Sequence, residues 1–251
     1  MMEREALEFL QEQAIEAATE TIQTDDNGHT FLVGEDTREF VPDDMPETIQ
    51  VTTLSSVVDF VKESKDAISH GQLLVRVDGP RKVVVESTLD NYGRRARFLE
   101  ARPVLDLMEF GHWYDREELT IALQSHFVSL APEESREYDD KGTLLRFISA
   151  YQETDSNQVV DDGVSQTATV KTGAASVGTA RVPNPVLLAP YRTFAEVEQP
   201  QSEFIFRMHE GMMGALFEAD GGAWRSQAVA SVKEYLNANL SRCGADVVVL
   251  G

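Results

Sequence analysis

The sequence predicts an α+β fold: antiparallel sheets built from hairpins, with about four to five helices packed on them. Three observations carry that expectation. β-rich runs occur in pairs around turns that hold Gly or Pro. Apolar residues recur at helical spacing in single segments set between those pairs. The strands come in clusters, not in regular βαβ alternation, which argues against a doubly wound parallel sheet.

Within residues 1–24, Glu8, Glu12, Glu16 and Glu20 recur every four residues. On a helix they form one stripe of like charge, costing roughly 0.2–0.5 kcal/mol per pair. Leu7, Leu10, Ala14, Ala17 and Ala18 supply a weak apolar seam opposite. A short helix of this kind is marginal alone. Two readings stand: a solvated helix face, or an oligomerisation arm whose Leu7, Leu10, Glu8, Glu12, Glu16 and Glu20 meet another subunit. Residues 25–50 read as irregular, with a turn at Asp25-Asp26-Asn27-Gly28, a short strand at Thr30-Phe31-Leu32-Val33, and Pro42 and Pro46 as helix breakers. Thr53 then caps a helix with Leu54, Val57, Val58, Val61 and Ile68 on its apolar face.

Residues 72–77 and 82–89 flank Asp78-Gly79-Pro80 as a hairpin. A third strand at 95–101 follows the Asn91-Tyr92-Gly93 turn and ends before Pro103. Asp115 and Glu118 have the spacing of a capping box, with Leu119, Ala122, Leu123, His126 and Phe127 along one helix face. A second helix covers 143–151, with Leu144, Phe147, Ile148 and Tyr151 inward. Between them, Ala131-Pro132-Glu133-Glu134 and Asp139-Asp140 are linker-like. The chain from 25 to 251 reads as one domain, with 130–142 the place where it would sub-divide. Whether the two strand clusters form one sheet or two stays open. Val164, Gln166, Ala168 and Val170 alternate with Ser165, Thr167, Thr169 and Lys171, a strand pattern. Residues 173–178 are small and suit a loop or hairpin tip. Residues 203–208 and 213–218 flank Glu210-Gly211 as another hairpin. After Asp220-Gly221-Gly222, a long helix carries Trp224, Ala228, Val232, Tyr235, Leu236 and Leu240, and 246–250 closes the chain as a strand. No period of 20–50 residues recurs, which excludes a solenoid or propeller.

The chain has 251 residues, 43 acidic and 22 basic, for a net charge of −21. Residues 1–70 hold 17 acids against 4 bases, so more than half of that charge lies at the N-terminal end. Such a balance argues against duplex nucleic acid, where affinity comes mostly from Lys and Arg on phosphates. It argues equally against an anionic membrane surface. One cysteine, Cys243, excludes an internal disulfide and suits a reducing compartment. No secretory signal and no apolar run of about 18 residues is present. A cytoplasmic protein is expected.

The search for chemistry is mostly negative. No GxGxxG, GxxxxGK[ST] or GxSxG motif occurs. His29, His70, His112, His126 and His209 form no metal-binding spacing. Asp25, Asp26 and Asn27 start no complete calcium loop. No catalytic residue, metal ligand or cofactor is assigned. Were His112, Asp115 and His126 to converge, they would be the best acid–base or metal candidates. Cys243 reads as a small structural residue, and Trp113 and Trp224, each beside a helix start, as packing residues. One segment reverses the charge: Arg81, Lys82, Arg94, Arg95, Arg97 and Arg102 outnumber Glu86, Asp90 and Glu100. Either these cations meet an anion or another subunit's acidic arm, or they are strand residues paired with nearby acids.

Three segments carry a family resemblance. The first is Leu54-Ser55-Ser56-Val57-Val58-Asp59-Phe60-Val61 after Phe40-Val41-Pro42. The second is Ala101-Arg102-Pro103-Val104-Leu105-Asp106-Leu107 with Trp113 and the helix at 115–127. The third is the 203–218 hairpin, the 224–240 helix and the closing Val247-Val248-Val249-Leu250-Gly251. In order and pattern, residues 40–251 resemble the YfdQ-like family of bacteriophage and prophage proteins, a family of unknown function. The resemblance implies a phage or prophage accessory protein in the host bacterial cytoplasm and transfers no catalytic residue. The leading expectation is a non-enzymatic protein that self-associates into a homo-oligomer. The alternatives are an acidic anti-defence or regulatory protein that binds a host protein, and a virion or shell component in a large closed assembly.

Overall fold

The computed structural model describes residues 8–9, 11, 13, 21–34, 37–41, 45–64, 71–134, 136–151, 160–161, 165–171, 177–209, 211, 213–241 and 246–251. In chain order the elements are β1 (Thr21–Thr24), β2 (Thr30–Val33), β3 (Arg38–Glu39), β4 (Ile49–Val51), α1 (Leu54–Glu63), β5 (Leu73–Gly79), β6 (Lys82–Leu89), β7 (Arg95–Ala101), α2 (Arg116–Ser125), α3 (Asp140–Ala150), β8 (Val160–Asp161), β9 (Gln166–Lys171), β10 (Val177–Arg181), β11 (Val186–Leu188), β12 (Ser202–His209), β13 (Met213–Glu218), α4 (Trp224–Leu240) and β14 (Val247–Leu250). The class is α+β, as the hairpin pattern predicts.

Two hydrophobic cores organise the chain. The first lies on one face of a five-stranded sheet ordered β14-β5-β6-β7-β4. Alternation sends Leu73, Val75, Val77, Val83, Val85, Leu99 and Ala101 to that face, where they meet Leu54, Val57 and Val61 of α1 and Val232, Leu236 and Leu240 of α4. Thr53 caps α1 by accepting from Ser56 N–H. Two strands of this sheet pair in parallel, β14 with β5 and β4 with β7, so the sheet is mixed. Each pairing joins segments far apart in sequence, and no turn announces it.

The second core gathers α2, α3, the β11-β12-β13 sheet and the β10-β9-β8 sheet. Phe127, Phe204 and Phe206 are fully buried there, and Phe110 packs on Phe204 with ring centres 4.9 Å apart. The capping box at Asp115 and Glu118 forms in both directions. The buried amide of Gln166 joins the two sheets: it accepts from Met208 N–H at 2.9 Å and donates to Met208 O at 3.1 Å.

The structure departs from the sequence pattern at several places. Residues 21–24, assigned above to the acidic helix, form a strand, consistent with β-branched Thr21, Ile22 and Thr24. Glu8 is helical and exposed, whereas Leu7, Leu10, Glu12, Glu16 and Glu20 lie outside the described residues, as do Ile68 and Cys243. α3 begins at Asp140 instead of Thr143, because the linker-like Asp139 is its cap, accepting from Gly142 N–H at 2.7 Å. Residues 130–142 do not divide the cores, since α2 and α3 on either side share one cluster.

Gly214 has no room for a side chain. A Cβ there would lie 2.6 Å from Leu119 Cδ2 and 3.0 Å from Phe206 Cε2. Gly214→Ala should force α2 away from β13 and destabilise the protein by about 1–3 kcal/mol, read as a lower denaturant midpoint at unchanged slope.

Candidate functional site

The cations between residues 81 and 102 fall into two environments. On the sheet face turned away from α1 and α4, Glu86 and Glu100 are 5% and 9% exposed. Carboxylates that buried need charged partners. Glu86 receives Arg97 at 3.1 Å and Arg76 at 3.2 Å. Glu100 receives Arg102, Lys82 at 3.6 Å and Arg97 at 3.7 Å. Asp78 takes Arg76 and Lys82. Val84, on the same face, is fully buried, as expected beneath the aliphatic stems of such long side chains. Arg94 closes its own turn on Asp90 at 2.9 Å, and Arg95 donates to Ser87 O at 2.7 Å. Five of the six predicted cations are therefore engaged within the sheet.

Arg81 is different. It lines a cavity of about 170 Å³ with Leu107, Met108, Phe110, His126, Pro190, Tyr191, Arg192, Glu218, Trp224 and Arg225. Elements of both cores contribute: the β5–β6 turn and the start of α4 from the first, the end of α2 and the end of β13 from the second. Neither Arg81 nor Arg225 has a carboxylate within ion-pair distance among the described residues. Arg225 lies against the Trp224 ring, 4.9 Å from its centre. Its guanidinium also crosses Gly222, where an added Cβ would collide with it and where φ is +83°. Glycine there thus serves both the turn and the arginine.

Arg192 is the buried member, 3% exposed. It donates to Glu218 at 3.2 Å, Pro200 O at 2.9 Å and Ser202 Oγ at 2.6 Å. Its guanidinium stands 4.3 Å from the Trp224 ring centre, on which it makes a cation–π contact. Burial pushes its pKa down to about 10, against the raising influence of Glu218 and Asp220, so it is charged at neutral pH. Two buried donors of this cluster, Arg192 Nε and Trp224 Nε1, have no hydrogen-bond partner. An unmade buried hydrogen bond costs about 1–3 kcal/mol. Three guanidinium groups face one lining carboxylate, and that carboxylate already accepts from Arg192. This arrangement can hold an anion.

The remaining sequence candidates do not assemble. Asp115 and His126 cap opposite ends of the ten-residue α2, a separation of about 16.5 Å at the helical rise. His112 instead meets Tyr114 edge-on at 4.7 Å. Asp25 organises its own turn, accepting from Asn27 and His29 N–H. Trp113 packs on His209 and Phe217, and Trp224 is a buried plug, as expected of tryptophans beside helix starts. No cluster of His, Cys, Asp or Glu that could hold a metal ion occurs among the described residues. Sequence reasoning missed Arg192 and Arg225. Arg192 did leave a signal: it is a lone cation in the apolar run from Val186 to Phe194, where burial demands partners.

No family model, curated protein or solved structure matches this chain.

The sheet-face network has a pH signature. The Arg102 hydrogen bond, aided by the charges of Arg102, Lys82 and Arg97, holds the Glu100 carboxyl below its ordinary 4.5 despite desolvation. A depressed folded-state pKa gives stability that is present above the unfolded value and lost as pH falls through the folded one. Glu100→Gln should therefore be less stable than the native chain at pH 7. The gap should close as pH drops below 4.5, measured by urea unfolding across the acid range.

Proposed function

We propose that this chain is a non-catalytic binding protein whose working site is the arginine pocket, and that its ligand is a small anion. The carrying observation is the convergence of Arg81, Arg192 and Arg225 on one cavity, with Arg192 Nε and Trp224 Nε1 buried and unpartnered beside it. Arg81 and Arg225 have no carboxylate within ion-pair distance among the described residues, and a bound anion relieves the mutual repulsion of the three guanidinium groups. A phage or prophage accessory role in the host bacterial cytoplasm belongs to this proposal through the YfdQ-like pattern of residues 40–251. No helix among the described residues is long and apolar enough to cross a membrane.

The test uses Trp224 as reporter in a Trp113→Phe background, titrated with inorganic phosphate at constant ionic strength. Saturable change in emission and a rise in Tm are expected, because a ligand that binds only the folded state stabilises it by mass action. Arg81→Ala and Arg225→Ala should each weaken binding about tenfold, equivalent to ~1.4 kcal/mol, whereas Arg97→Ala leaves it unchanged. No saturable signal up to tens of millimolar phosphate overturns the proposal.

A second reading, self-association, is supported by the sheet edge. β14 is an outer strand, and Val248 and Leu250 on it are 38% and 45% exposed. An apolar edge strand is a template for pairing with another copy. Light scattering after size exclusion should give a homo-oligomer that Val248→Lys dissociates. A monomer for the native chain at both low and high salt sinks this reading.

A further inference from the structure

A second, larger cavity adjoins the arginine pocket. It has a volume of about 660 Å³ and is lined chiefly by Gly79, Pro80, Arg225, Val229, Ala230 and Lys233. The two cavities share Arg225, and they meet along one turn: Gly79 and Pro80 line the groove, Arg81 the pocket. On α4, positions 225, 229 and 233 repeat every fourth residue and so lie in a row. The groove therefore follows the helix for about 12 Å, eight residues at the helical rise. Between Arg225 and Lys233 its helical wall offers Ser226, then Val229 and the exposed Ala230. Lys233 is not an open cation, because its Nζ donates to Gly251 O at 3.0 Å. Arg225 is thus the open cation at one end, the Lys233–Gly251 contact closes the other, and the stretch between is mainly apolar.

We infer that the anion is an aliphatic carboxylic acid, its carboxylate held by Arg81 and Arg225 and its hydrocarbon chain laid along α4 over Pro80, Val229 and Ala230. This rests on the anion-binding reading of the pocket. The pocket, with about 170 Å³, accommodates a head group, and the groove provides the space for a chain. Two features select this ligand over an inorganic anion: the groove begins at a pocket arginine, and its wall over Pro80, Val229 and Ala230 is apolar. Burial of the chain adds binding energy in proportion to its length. A free acid is favoured over an anionic membrane lipid because the net charge of −21 repels an anionic surface.

The experiment is a chain-length series. Butyrate, hexanoate, octanoate and decanoate are titrated below their aggregation limits against the full chain carrying Trp113→Phe, beside inorganic phosphate. Affinity should rise about two- to fourfold per added methylene. Ala230→Glu, at an exposed helix position, should flatten that rise while phosphate binding persists, which also shows that the variant is folded. Anionic vesicles should not compete. Phosphate binding with equal affinity for all four acids overturns the aliphatic ligand and leaves the anion site standing. A rise that Ala230→Glu does not reduce places the chain elsewhere and also overturns the inference. Competition by vesicles points to a lipid surface and overturns the free acid. No binding of phosphate or of any acid removes the anion site itself.

Discussion

The structure depends on one buried cation. Arg192 lies in the segment from Ala189 to Gln201 that passes between the two cores. Its guanidinium ties Glu218, Pro200 and Ser202 of the second core's sheet region to Trp224, the first residue of the helix that fills the first core. The neighbouring residues repeat the pattern. Gln199 accepts from the N–H groups of Arg192 and Thr193, Thr193 donates to Pro80 O, and Phe194 is fully buried in the first core. Glu196 accepts from Leu54 N–H at 2.7 Å at the start of α1, where a carboxylate also meets the positive end of the helix. An irregular segment can be buried this way only because side chains answer its backbone groups. Truncating Arg192 would leave Pro200 O, Ser202 Oγ and Glu218 without their guanidinium donor and Trp224 without its cation, and the loss would be felt in both cores.

Net charge bears on which large surfaces this protein can approach, but it says little about what each cation does. A surplus of acids spread over 251 residues is screened beyond roughly 8 Å at physiological ionic strength. Local pairing then decides what each cation does. Glu86 and Glu100 are nearly sealed from water, and the arginines and lysine around them neutralise that burial. Arg81 sits only one residue before Lys82, yet it leaves the sheet at the turn and enters the pocket. The same run of basic residues thus supplies a structural network and one component of the proposed anion site.

Much of the fold was legible because its signals are local. The Thr53 and Asp115 caps, the β5–β6 turn, the alternation in β9, and the spacing of Trp224, Ala228, Val232, Leu236 and Leu240 are all short-range patterns, and the structure forms each of them. The parallel partners β4 and β14 were not legible, since their register is set by a shared core and not by a turn. The site was legible only at Arg81. Arg192, Trp224 and Arg225 come from two further segments that meet only after α4 docks, and single-sequence spacing carries no record of that meeting. The linker-like look of 130–142 has a related cause: acidic residues that resemble a linker are also good helix caps, and Asp139 is one.

The position of the pocket has a thermodynamic consequence. Its walls belong to both cores, so an anion that contacts Arg81 and Arg225 on one side and Arg192 on the other favours the state in which the cores are docked. By linkage, whatever loosens the docking weakens the anion, and whatever binds the anion tightens the docking. Arg192 Nε and Trp224 Nε1 sit at that junction as buried donors without acceptors. They raise the energy of the empty docked state, so the two cores are held together less firmly than their packing alone allows. A ligand that supplies the missing acceptor recovers that energy only in the docked form. A junction built on a charged, incompletely satisfied contact is therefore responsive in a way that an apolar junction of the same size is not.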